Sequence, residues 1–174
     1  VPLVTVYGNH EQSGTGTTYD TAATSMFNNY FVLPQGTPLP NGNEFWWSKD
    51  YGSIHFIGLN LNTDFAPGSA QYDWLLADLQ ANDAQTWRIV VLHHDPYSSG
   101  YHAPEQIPTD VKTHLVPLFL TYDVRWLITG HEHSYERSRY GNLNDIRAAG
   151  ASQEKAINVY SNPYQQFAEA TYCY

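Results

Sequence analysis

Three apolar runs rich in β-branched residues each break off at residues able to bind a metal ion. Val1–Tyr7 leads into Gly8-Asn9-His10-Glu11, Arg88–Leu92 into His93-His94, and Val124–Thr129 into Gly130-His131-Glu132-His133. Short, nearly continuous apolar runs are the signature of strands covered on both faces, the usual state of parallel strands in α/β proteins. Open sheets of that class collect ligands just beyond the carboxyl ends of their strands. A lone histidine is more often a satisfied core residue than a ligand, but histidines recurring at several strand ends reverse that expectation. Neutral imidazole nitrogens and an amide oxygen suit zinc, iron or manganese. His131 and His133 are two residues apart, so in an extended segment both rings face the same side.

The segments between these runs alternate between strand and helix signals, without a linker or an internal repeat, and read as one domain over residues 1–174. Residues 19–30 have helical spacing, and residues 33–43 form a connecting loop rich in proline and glycine. Residues 44–51 and 53–60 are expected to form an antiparallel hairpin about Tyr51-Gly52. Residues 69–82 are the clearest helix, with Ala70, Trp74, Leu75 and Leu79 on an apolar face and Asp73 and Asp78 outward. A second helix over 110–122 should kink or restart at Pro117. In the tail, 157–160 suggests one strand, while the residues beyond Pro163 carry no mechanism and could cover the core, pair with another chain or act through Cys173.

Composition narrows the functions available. The formal charge of -9 leaves no basic surface to neutralise a phosphate backbone, which argues against nucleic acid as a partner. No apolar run approaches the ~20 residues of a membrane span. Cys173 is the single cysteine, so neither an intrachain disulfide nor a thiolate metal site can form. Fourteen tyrosines and five tryptophans resemble a secreted or cell-surface composition, and an extracellular location is the expectation.

Read together, Gly8-Asn9-His10-Glu11, Val90-Val91-Leu92-His93 and Gly130-His131-Glu132-His133-Ser134-Tyr135-Glu136-Arg137 resemble successive motifs of the calcineurin-like metallophosphoesterases. The nearest branch in appearance is that of the purple acid phosphatases. The connecting segments Asp50–Ile57, Gln71–Leu75 and Pro117–Phe119 are similar too, and the resemblance covers roughly residues 1–140. It implies an α/β fold: a metallophosphoesterase-type β-sandwich flanked by helices. It also implies a phosphorylated small-molecule substrate, and a pair of transition-metal ions, iron with zinc, manganese or iron, or two zinc ions. Asn9, His93 and His131 match ligands of the second metal, and His133 matches a ligand of the first. His10 matches the histidine that contacts the phosphate and assists the leaving oxygen, and His102 falls where a substrate-binding histidine is often found. His94 competes with His93 for the same ligand role, with His93 preferred. Asp95 stands where the family commonly has proline. Glu11, Glu132 and Glu136 are expected behind the ligands or facing solvent, Tyr135 and Arg137 bracing the histidine loop, and His55 and His114 in structural roles.

The family's first motifs, an aspartate, a bridging aspartate and a tyrosine, have no counterpart ahead of Asn9, so the fold is expected to be incomplete at its N-terminus. Asp20, Asp50 and Asp64 lie after the wrong strands to replace them. One expectation is therefore a hydrolase whose remaining carboxylates come from a preceding segment of a longer chain. The other is a catalytically incomplete scaffold, holding one metal ion or none, that serves as a secreted structural, self-associating or binding protein.

Overall fold

The computed structural model describes residues 5–11, 31, 45–84, 86–148 and 159–170. Its strands are β1 (Trp47–Tyr51), β2 (Ile54–Gly58), β3 (Trp87–His94), β4 (Trp126–Gly130), β5 (Ser134–Tyr140), β6 (Leu143–Ala148) and β7 (Gln165–Ala170). They form one mixed sheet in the order β1-β2-β3-β4-β6-β5-β7, an α/β arrangement with helices packed on the sheet. The centre is parallel: β2 pairs with β3, β3 with β4 and β4 with β6, so the carboxyl ends of these strands emerge on one edge. Antiparallel strands close both sides, β1 on β2 and the β5–β6 and β5–β7 pairs on the other flank.

The parallel β2–β3 and β3–β4 pairs need crossovers, and two helical segments supply them, while β4 reaches its parallel partner β6 by way of β5. Helix α1 (Ala70–Ala81) links β2 to β3, and its N-cap Ser69 accepts a hydrogen bond from Tyr72 N. The β3–β4 crossover runs through α2 (Gln106–Asp110), a π turn (Val111–Leu115) and α3 (Val116–Thr121). Pro117 has no N–H for Thr113 and opens the first turn of α3, as its position predicts. The turn before it widens, with Val116 N–H reaching back to Val111 C=O. The core lies between sheet and helices: Ile57, Val90, Leu92 and Leu127 meet Leu75, Leu79, Leu115 and Phe119, all buried. At its side, Trp47 fits over Gly58, where a Cβ would collide with the indole. The indole N–H donates to Thr5 C=O at 2.9 Å.

Several expectations shift. The hairpin forms as read, turning at Gly52 with φ +61°. On α1 the buried positions are Gln71, Leu75 and Leu79, whereas Ala70 is exposed. Gln71 is buried because its amide is fully used, bonding Asn60 N, Asn60 O and the Thr63 hydroxyl at 2.8–2.9 Å. Residues 5–8 form no strand, and the rest of the expected first strand, the 19–30 helix, the 33–43 loop and Cys173 fall outside the described residues. Strand β3 extends through both histidines. Of the tail strand expected over 157–160, Val159 and Tyr160 form a bend, with Tyr160 N donating to Ser99 O; the other two residues are not described. The tail beyond Pro163 instead adds β7 to the sheet, and β5 and β6 form a hairpin about Gly141, φ +62°.

Asp78 does not face solvent. It meets His55, a buried β2 residue held by Asp50 Oδ1 at 2.6 Å and Asp78 Oδ2 at 2.7 Å. Ser48 donates to the other Asp78 oxygen at 2.8 Å. Burial alone would lower the His55 pKa, but the hydrogen bonds to Asp78 and Asp50 outweigh it and the value is raised. A raised folded-state value makes this clamp a stabiliser below the unfolded value of 6.5 that is lost as pH rises through the folded pKa. His55→Gln should lower stability by about 1–3 kcal/mol at pH 5.5 and by less at pH 9, in urea titrations of both proteins at each pH. A deficit that grew with pH would show that the imidazole is held neutral.

Candidate metal centre

At the carboxyl edge of the parallel strands a single irregularity gathers the histidines. In a regular strand His93 and His94 would face opposite sides. The β3–β4 register slips between Val91 and His94, since Val91 pairs with Ile128 but His94 with Gly130, a bulge that re-aims the strand end. Both rings consequently reach His131, with centroids 5.2 Å away for His93 and 4.1 Å for His94. His131 is itself strained: φ is +66°, and Glu132 N–H closes on Gly130 C=O at 2.8 Å in a three-residue turn. The expected extended segment through His131 and His133 is therefore a tight turn.

The other candidates converge on this edge. Asn9 and His10 sit in a short 3-10 turn, its Gly8 N–H held by Glu11 Oε2 at 2.7 Å. Asn9 Oδ1 lies 2.8 Å from His93 Nε2. His102 comes from the loop after β3, its ring 4.5 Å from that of His131. Glu105, at the start of the same crossover, spans both, with Oε1 2.6 Å from His102 Nδ1 and Oε2 3.0 Å from His131 Nε2.

Charge among so many imidazoles is suppressed. Burial, then His131, His10 and His133, hold His93 down to about 4; burial, then His131, His93 and His102, hold His94 down to about 2. His131 is lowered chiefly by burial, despite Glu105. For Glu105, hydrogen bonds from His102 and His131 overcome burial and lower its value. At neutral pH the rings of His93 and His94 are uncharged, so each keeps one nitrogen lone pair beside its N–H.

These residues fit the metal ions that the motif resemblance implies. Buried Nδ1 atoms of His94 and His133 have no hydrogen-bond partner among the described residues, as expected of nitrogens awaiting a Lewis acid. Ligand atoms of His94, Glu105 and His131 lie within 4.8 Å of one another. Neutral nitrogens, an amide oxygen and a carboxylate fit a divalent transition ion.

Behind the histidines lies a buried polar layer that sequence reasoning missed. Arg147 of β6 reaches Asp95 Oδ2 at 2.5 Å, Glu136 Oε2 at 2.7 Å and Ser98 Oγ at 2.7 Å. Glu132 and Glu136 are buried rather than solvent-facing. Glu132 Oε1 accepts His102 N–H, and its carboxylate fills the space where Gly100 would carry a Cβ. Arg137 is exposed and Tyr135 rests on Phe167, so Arg147 is the arginine that braces the loop. Nothing in the linear pattern marks Arg147, whereas Glu105 could have been found three residues beyond His102.

Comparison with known proteins agrees with this geometry. Residues 1–135 match the family model described as calcineurin-like phosphoesterase. Purple acid phosphatase 18 of Arabidopsis thaliana is 30% identical over 184 residues, covering 98% of this chain and 41% of the relative. Probable inactive purple acid phosphatase 9 of Arabidopsis thaliana is 35% identical over 101 residues, covering 56% and 16%. The structure of purple acid phosphatase PPD1 from yellow lupin (Lupinus luteus) seeds superimposes with a TM-score of 0.71 at 24% identity, covering 94% of this chain and 34% of that one. The chain thus spans well under half the length of these relatives.

Proposed function

Because the chain belongs to the calcineurin-like phosphoesterase family, we propose that it forms the histidine-rich half of a phosphoric ester hydrolase of the purple acid phosphatase type. The observation that carries this reading is the convergence of His93, His94, His102 and His131, with ring centroids 4.1–5.2 Å apart at the edge where parallel strands end.

Asn9, His93, His131 and His133 are the proposed metal-holding residues of a two-metal site, with iron, zinc and manganese the candidates. When bound, such ions supply positive charge to the phosphoryl oxygens and a water whose pKa falls towards ~7. His10 is exposed on its turn, free to meet a phosphorylated small molecule and to give a proton to the departing oxygen. The neighbouring loop presents His102, whose Nδ1 is tied to Glu105 and whose main chain is tied to Glu132, so its ring is held before substrate arrives. Glu132 therefore transmits the position of the histidine loop to the substrate loop.

Metal content and phosphatase activity test this together. Protein purified without added metal is expected to contain transition metal by plasma mass spectrometry, two equivalents where the preceding carboxylates are present, and to hydrolyse p-nitrophenyl phosphate in the metal-loaded state. Metal-replete protein without hydrolysis would remove the enzyme reading and leave a binding scaffold. That second reading is favoured by Tyr160, Tyr164 and Phe167, apolar side chains exposed on or beside the β7 flank, a surface suited to self-association or a partner.

A further inference from the structure

Tyr101 stands beside the histidine cluster yet keeps 62% of its surface exposed. Its ring meets that of His102 edge to face, with centroids 5.3 Å apart, and the His102 ring in turn lies 4.5 Å from that of His131. The exposure does not come from a loose loop. Ala103 N–H closes on Gly100 C=O at 3.3 Å, so Tyr101 and His102 are the two central residues of one turn. That turn is tied on both sides to the buried polar layer, since Gly100 N–H donates to Ser98 Oγ at 2.9 Å and His102 N–H donates to Glu132. Ser98 Oγ is itself held by Arg147 at 2.7 Å. A tyrosine has only two side-chain torsions, so a ring on a fixed turn loses little freedom when another group stacks on it.

We propose that Tyr101 determines specificity on the leaving-group side of the site, and that the substrate is a small phosphomonoester whose ester oxygen carries an aromatic ring. The inference rests on the phosphoesterase reading for the place of the phosphoryl group, between His10 and His102. The layer behind the histidines is buried, so the ester group of a phosphate held there must point towards solvent, the side on which the Tyr101 ring is exposed. Aromatic pairs attract in offset or edge-to-face arrangements at centroid separations of about 4.5–7 Å, and an alkyl group gains less because it has no π face. The formal charge of -9 disfavours a leaving group that carries further phosphates. Stacking uses the ring of Tyr101 and not its hydroxyl, which separates this role from acid catalysis.

Phosphonates are the probes, because they keep the phosphoryl oxygens and are not hydrolysed. In calorimetry the metal-loaded parent should bind phenylphosphonate more tightly than methylphosphonate. Tyr101→Ala should weaken phenylphosphonate by about 3–10-fold and leave methylphosphonate within about twofold, whereas Tyr101→Phe keeps the preference. Tyr51→Ala, which removes an exposed ring at the opposite end of the sheet, should bind as the parent does. With substrates, the loss in Tyr101→Ala should appear in KM for phenyl phosphate at nearly unchanged kcat, with ethyl phosphate unaffected. Circular dichroism identifies the variants that keep the parent fold. A parent without a preference for the phenyl group, a folded Tyr101→Ala that keeps that preference, or equal losses on both phosphonates overturns the proposal. A preference carried by Tyr101 in a protein that cleaves neither ester would sustain this subsite while removing the hydrolase reading. Hydrolysis of both esters with the phenyl preference intact in Tyr101→Ala would do the reverse.

Discussion

Replacing Arg147 by methionine should remove about 3–5 kcal/mol of stability at pH 7, a large share of the roughly 5–15 kcal/mol that holds a domain together. The side chain is 1% exposed and its guanidinium is the sole cation bonded to the buried carboxylates of Asp95 and Glu136 among the described residues. Asp145 and Glu132, also buried, each keep an oxygen without a hydrogen-bond partner. Methionine restores much of the volume but leaves those carboxylates uncompensated, so the loss is electrostatic rather than a cavity effect. The pH dependence gives the sharper signature. Burial raises Asp95 from 3.8 to about 6 even with Arg147 lowering it, and raises Asp145 well above its usual range, Asp95 adding to the effect. A carboxyl whose folded value is raised stabilises the fold when protonated, and that contribution fades as pH rises from 3.8 through about 6. The deficit of Arg147→Met should accordingly shrink as pH falls from 7 to 5, measured by urea unfolding at each pH. Asp95→Asn added to Arg147→Met should recover part of the loss, a non-additivity expected of residues in one network. A variant as stable as the parent at pH 7 would show that Arg147 is not what neutralises this layer.

His10→Ala is expected to lower turnover by about 10²–10³ with the fold unaltered, if His10 contacts the transferring phosphoryl group. The residue is exposed, and its ring is close enough to help hold down the His93 pKa. An acid that protonates the departing oxygen matters more when the alcohol is a poor leaving group. The loss should therefore be larger on phenyl phosphate than on p-nitrophenyl phosphate, in kcat measured for both substrates with parent and variant. Equal losses on the two esters would assign His10 to phosphate binding alone, and unchanged turnover would remove it from the mechanism.

Much of the frame was legible before any coordinates. The β1–β2 hairpin, helix α1, the restart at Pro117 and the strands that run to His94 and Gly130 follow from local propensity and periodicity, which neighbouring residues decide among themselves. The β5–β6 hairpin was not legible, for a physical reason. Ser134, Glu136 and Ser138 point inward as buried residues, so the strand shows polar groups on both faces and no apolar alternation. Their burial is made possible by Arg147, Ser99, Tyr97 O and Asn162, residues distant in sequence. Asp78 was misjudged as outward-facing for the same reason, because its partner His55 belongs to another element.

The sequence by itself determined that polar metal-competent residues stand where apolar strands of an α/β sheet end, because chain chemistry and the strand period are local properties. Only the tertiary structure decided which of them meet. A one-residue slip in the β3–β4 register brings adjacent His93 and His94 to the same ring of His131. The β3–β4 crossover delivers His102 and Glu105 to that ring, and a buried arginine from β6 supports the layer behind it. Register and crossover are settled by packing between elements, and packing is where residues far apart in the chain first acquire a shared energy.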